Sequence, residues 1–135
     1  MNREIKYRGL TSNGNWVCGN LIQGKNGACY ICSINENPVY KNGDYWYIDS
    51  PCYVVIPETV GQFTGLKNQN GEEVYEGDVL ELNNCGLLIV CFYKGEFKLQ
   101  KLAEYHKKRN LYASISYLEF SVLRGNIYEN PNLLQ

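Results

Sequence analysis

A chain of 135 residues with 13 Lys+Arg, 14 Asp+Glu and a formal net charge of −1 can form one compact domain or two closely packed subdomains. That balance argues against a general nucleic-acid binder, and the chain has no run of about 20 apolar residues to cross a membrane. Residues 1–6 carry charge with no apolar core behind them, so no signal peptide is expected, and the reading is a cytoplasmic protein with reduced thiols and no cofactor.

Twelve tyrosines and thirteen glycines stand against alanine only at Ala28, Ala103 and Ala113, which disfavours a helical bundle. Residues 3–10 alternate, with Ile5 and Tyr7 facing one way and Lys6 and Arg8 the other, and predict a strand. A turn over 11–15 leads to a strand over 16–23. Asn26-Gly27 closes the next turn, and 28–34 form a third strand. Short strands separated by glycine turns read as a meander or barrel rather than as βαβ units. Residues 35–44, with Pro38 and Asn42-Gly43, read as a loop. Residues 45–49 and 53–56 read as strands on either side of Ser50-Pro51. At 57–60, Pro57 and Glu58 suit the first turn of a short helix, and an irregular conformation fits equally.

The centre of the chain follows. Thr64-Gly65-Leu66 ends one extended segment and residues 73–82 begin the next, with Asn70-Gly71 as the hairpin signal between them. Gly77-Asp78 interrupts the alternation, as a bulge or a close backbone approach does. Residues 87–93, LLIVCFY, fit a strand buried on both faces. Lys94-Gly95 turns the chain into a strand over 96–102. Residues 104–110 read as a loop or short helix and the chain beyond them as extended. A closing strand is expected over 118–127, and a terminal turn over 130–134.

The groups able to do chemistry each have a plainer reading. Cys29-Tyr30-Ile31-Cys32 has the spacing of half a zinc site or a redox pair. No second cysteine pair accompanies it, and in a strand positions i and i+3 face opposite ways, so these are expected to be buried, reduced core residues. His106 is the only histidine and sits among Lys107, Lys108 and Arg109 without an identifiable orienting partner. Those three cations, with Tyr105 and Tyr112 nearby, are the candidate nucleic-acid contacts. Glu72, Glu73, Glu76, Asp78 and Glu81 lack calcium-loop spacing and suit turns. Tyr40 and Trp46, in the aromatic cluster with Tyr45 and Tyr47, are candidate partner contacts, as are Asn126, Tyr128 and Asn130. No catalytic and no metal-binding residue is expected.

Three blocks carry a family resemblance. They are Arg3-Glu4-Ile5-Lys6-Tyr7-Arg8, the run Pro57-Glu58-Thr59-Val60-Gly61-Gln62-Phe63-Thr64-Gly65-Leu66 with Asn70-Gly71 and Tyr75-Glu76-Gly77-Asp78, and Gly125-Asn126-Ile127-Tyr128-Glu129-Asn130-Pro131 with Leu133-Leu134. Together they resemble the YopX family, small proteins of bacteriophages and prophages. Residues 10–53 and 99–118 match no motif. The resemblance implies a β-rich fold with an SH3-like barrel and no agreed activity, so it brings no catalytic residues. The expectation is a mainly β protein, with an N-terminal β-sheet subdomain (1–60) packed on a C-terminal SH3-like β-barrel (61–135). It would be a phage- or prophage-encoded accessory protein acting as a non-enzymatic protein-binding or assembly module. Open sheet edges point to a homo-oligomer, with a host or phage protein as a further partner. The alternative is nucleic-acid binding through Lys107, Lys108 and Arg109. No membrane partner is expected.

Overall fold

The computed structural model of this chain describes residues 3–33, 39–48, 51–83 and 85–134. The protein is mainly β, with antiparallel pairing throughout the described strands. Two compact units divide it, one comprising Ile5–Gln62, the other Phe63–Gln135 together with Met1–Glu4.

The first unit holds β1 (Tyr7–Leu10), β2 (Trp16–Gln23), β3 (Cys29–Cys32), β4 (Val39–Asn42), β5 (Tyr45–Ile48) and β6 (Cys52–Val55). Four of these lie side by side as β6-β3-β2-β1, and β4 and β5 form a separate hairpin. Alternation sorts the side chains: Cys29, Ile31 and Val55 are buried with Tyr7, Val17 and Leu21 against them. Gly9 is buried on β1, and a Cβ there would lie 2.8 Å from the Val55 Cβ, so the valine occupies the space a side chain would need. Beyond β6, a 3-10 turn (Pro57–Thr59) is tied to β1 through Thr59. The Thr59 hydroxyl donates to the Ile56 carbonyl (2.6 Å) and accepts from the Leu10 N–H (2.9 Å).

Three expectations change here. The first strand covers only Tyr7–Leu10 rather than 3–10, because pairing with β2 begins at Tyr7↔Gly19. The segment read as a loop contains β4, because Gly43-Asp44, with Gly43 at φ 63°, makes the two-residue hairpin turn that joins Val39–Asn42 to Tyr45–Ile48. The cysteines are not all reduced: Cys32 is disulfide-bonded to Cys52. The C-x-x-C spacing pointed along one strand, whereas the register sets Cys32 opposite Cys52 across β3 and β6, a pairing that spacing along one strand does not show. Cys29 remains a buried free thiol.

In the second unit, β7 (Gly61–Lys67) enters after its first two residues have paired with β1 of the first unit. Its Phe63 pairs with Tyr75 and its Lys67 with Glu73 of β8 (Glu73–Tyr75), with a register shift between them. The Asn68–Glu72 turn closes this hairpin through the Asn68 Oδ1, which accepts from the N–H groups of Asn70 and Glu72, each at 3.0 Å. Next come β9 (Asp78–Leu82), β10 (Gly86–Tyr93), β11 (Glu96–Lys101), α1 (Leu102–His106), β12 (Ala113–Ser114) and β13 (Val122–Asn126). The sheet order is β12-β11-β10-β9-β13. Leu80, Leu88, Val90 and Leu99 share one face and bury with Val74 and Leu118.

The apolar run of β10 is covered on both sides at its middle, since Ile89 on the opposite face is 2% exposed. Chain folded over that opposite face supplies part of the cover, because buried Gln100 donates from Nε2 to the Arg109 carbonyl. The helix begins at Leu102, ahead of the expected 104–110. The expected closing strand over 118–127 starts only at Val122, because a 3-10 helix (Ile115–Phe120) precedes it. Serines bracket that helix: the Ser114 side chain accepts from the Ser116 N–H and the Ser121 hydroxyl donates to the Leu118 carbonyl. A repeat of three then turns Ile115 and Leu118 inward and leaves Tyr117 and Phe120 exposed.

Candidate functional site

Two of the sequence blocks meet in the second unit. Asp78 and Asn126 face each other across β9 and β13. Gly77, at φ 94°, donates its N–H to the Val90 carbonyl (2.8 Å) and accepts from the Ile127 N–H (3.0 Å). The Tyr128 ring lies over it, 3.0 Å from where a Cβ would stand. Asp78 is 2% exposed, and its Oδ2 accepts from the Tyr75 N–H at 2.8 Å. The Asn126 Oδ1 accepts from the N–H groups of Tyr128 (2.9 Å) and Glu129 (2.8 Å), and its Nδ2 donates to Glu129. Asn130 Oδ1 accepts from the Asn126 N–H. The polar atoms of Asn126 and Asn130 therefore build the turn itself, and Asn126 is largely buried.

The other candidates lie apart. Lys107, Lys108 and Arg109 are exposed after α1, with the Arg109 Nη1 3.8 Å from Glu104 Oε2. His106 is exposed and stands edge-on to Tyr105 at 6.0 Å between ring centroids. Tyr112 stacks on Tyr93 at 4.3 Å. Glu81 pairs with Arg124, whose Nε is 2.7 Å away. For Tyr40 and Trp46 the backbone pairs in β4 and β5, and their side chains lie outside the described part of the structure. Among the described residues no group of three or more His, Cys, Asp or Glu is placed to hold a metal.

The thiols are not equivalent. Cys18 and Cys85 are exposed. Cys91 has its pKa pushed up to about 11, first by burial and then by the Glu76 carboxylate, with Lys98 pulling the other way. A thiolate is the reactive form, so at pH 8 iodoacetamide is expected to label Cys18 and Cys85 well before Cys91, as read by peptide mass mapping over time. Since the folded thiol ionises later than an unfolded one, the stability tied to Cys91 is intact below pH 9 and is lost as pH climbs towards 11.

An exposed apolar surface lies in the first unit, and the sequence reading missed it. Register sets Ile22 opposite Tyr30 and Tyr30 opposite Val54, so the three side chains form a row across β2, β3 and β6. Ile22 is 53% and Val54 66% exposed. Ile56, just past β6, is also exposed, and Tyr53 is exposed on the other face of that strand, which stands at the end of the sheet order. The signal was present: residues 52–56, CYVVI, form a charge-free run between Pro51 and Pro57. A row of this kind on an end strand suits docking against another polypeptide.

The fold has a known counterpart. The crystal structure of protein EF1440 from Enterococcus faecalis is similar, with a TM-score of 0.62 at 22% identity, covering 99% of this chain and 100% of that one. The likeness speaks to the fold alone. No curated protein matches the chain. The family model described as YopX protein matches residues 6–135.

Proposed function

From the premise that the chain belongs to the YopX family, we propose that it is a phage- or prophage-encoded accessory protein of the bacterial cytoplasm, a non-enzymatic binding and assembly module whose first partner is a second copy of itself. The observation that carries this reading is the row Ile22–Tyr30–Val54 beside the β6 edge. A charge-free edge strand is self-complementary: two copies related by a two-fold axis can continue one antiparallel sheet and cover both rows together. The buried, turn-building roles of Asp78 and Asn126 favour a scaffold over an active site. We read residues 61–135 as an SH3-like barrel, supported by the five-stranded antiparallel sheet of the second unit, and residues 1–60 as the subdomain bearing the interface. A host or phage protein would take the same surface in competition with the second copy.

Sedimentation velocity tests the reading. The native chain is expected to sediment as a dimer and Val54→Lys as a monomer with an unchanged circular-dichroism spectrum, since a charge on the row has no partner in a symmetric pair. A native monomer at high concentration would defeat it. The nucleic-acid alternative rests on exposed Lys107, Lys108 and Arg109 with the nearby tyrosines, and predicts a gel shift that weakens steeply with salt.

A further inference from the structure

The second unit contains a cavity of about 510 Å³, and of the residues singled out in the sequence as candidate contacts only Tyr112 lies on its wall. That size lies in the range of small-molecule pockets. Leu88 and Leu99 from the sheet, with Leu82 and Leu111, give it an apolar body. Two charged side chains interrupt the lining, Lys101 and Glu104. Lys101 is exposed, and Glu104 is held only by a long ion pair to Arg109. Among the described residues Lys101 makes no ion pair, and the Glu104 carboxylate accepts no hydrogen bond, its Oε2 having only the 3.8 Å approach of Arg109. A carboxylate this poorly partnered beside leucine side chains is costly unless a donor arrives.

These observations distinguish among occupants. A hydrocarbon would leave the carboxylate unsatisfied. A simple anion would meet Glu104, and a simple cation would meet Lys101. A molecule carrying both charges on an apolar body satisfies the whole lining. We propose that this cavity binds a small apolar zwitterion of the α-amino-acid class, its ammonium against Glu104, its carboxylate against Lys101 and its side chain among Leu82, Leu88, Leu99 and Leu111. The site is separate from the β6 surface and does not depend on self-association.

The lining also supplies a reporter. Cys85 is an exposed free thiol on the cavity wall, while Cys18, exposed in the other unit, serves as an internal control. L-Phenylalanine and L-leucine are titrated into the full chain by calorimetry, and alkylation of both thiols is followed with and without them. At least one of the two is expected to bind, raise the melting temperature and slow labelling of Cys85 but not Cys18. For phenylalanine, 2-phenylethylamine and 3-phenylpropionate each lack one charge and should bind at least about tenfold more weakly. Glu104→Gln and Lys101→Met should each weaken the amino acid similarly while leaving the unliganded melting temperature near that of the native chain. Binding by neither amino acid overturns the proposal. So does equal binding by the single-charge analogues, or binding without protection of Cys85.

Discussion

Asp78→Ala is expected to lower the stability of the second unit by about 3 kcal/mol, measured by urea denaturation followed by tyrosine fluorescence. The carboxylate is 2% exposed and receives the Tyr75 N–H at 2.8 Å. Alanine leaves that donor inside the protein without its acceptor and opens a void where the side chain was. A hydrogen bond to a charged group contributes about 1.5–3 kcal/mol, and an orphaned buried donor adds to the loss. Asp78 also stands opposite Asn126, so slackening here reaches the turn that Asn126 closes. Asp78→Asn keeps an acceptor oxygen at the same place and should restore a large part of the stability. Equal losses for alanine and asparagine would assign the effect to the charge. No loss for either would remove the turn from the account of what this motif does.

The same motif shows what could be read before the fold was known. Gly77-Asp78 interrupts an alternating pattern, and that local signal marked a break in the backbone, because glycine's freedom at φ 94° is a property of one residue, but the break is a turn between β8 and β9 in different sheets and not a bulge within one strand. What the glycine is for was not legible, since the Tyr128 ring that covers it arrives from 51 positions along the chain. Strand β2 was read at its full length because an Asn-Gly turn and a polar turn bound it on either side. The 3-10 helix at Ile115–Phe120 was missed for the opposite reason: its period of three is short, and Ile115 also falls in step with Leu111, Ala113 and Tyr117 as an alternating extended segment, so only Leu118, three residues on, speaks against a strand. The row Ile22–Tyr30–Val54 draws on three strands and exists only once register is set. The cavity is similar, for Leu82, Leu99 and Leu111 share no local pattern. Turns and glycine breaks made by one segment were visible in the sequence, the short 3-10 helix was not, and features made by pairing between segments were not.

Reducing the Cys32–Cys52 disulfide should lower stability by about 3 kcal/mol, most of it through the unfolded chain. The bridge spans a sequence separation of 20 and encloses the β4–β5 hairpin. A cross-link closing a loop of that length removes conformational freedom from the unfolded state without adding a contact to the folded one, and the loop-entropy relation gives about 3 kcal/mol. The folded state has other means of holding β3 to β6. Four residue pairs are in register, and Ile31 and Val55 are buried at 0% and 3% exposure. The reduced protein should therefore fold to the same structure, with a lower midpoint in urea. Thiol titration in denaturant is expected to find four reactive groups before reduction and six after it, as Cys18, Cys29, Cys85 and Cys91 are free. Cys52→Ser should match the reduced native chain and no longer respond to reductant, whereas Cys18→Ser should respond as the native chain does. With the bridge reduced, the β4–β5 segment opens at lower cost. An unchanged midpoint on complete reduction would show that pairing across β3 and β6, and not the bridge, sets the stability of the first unit.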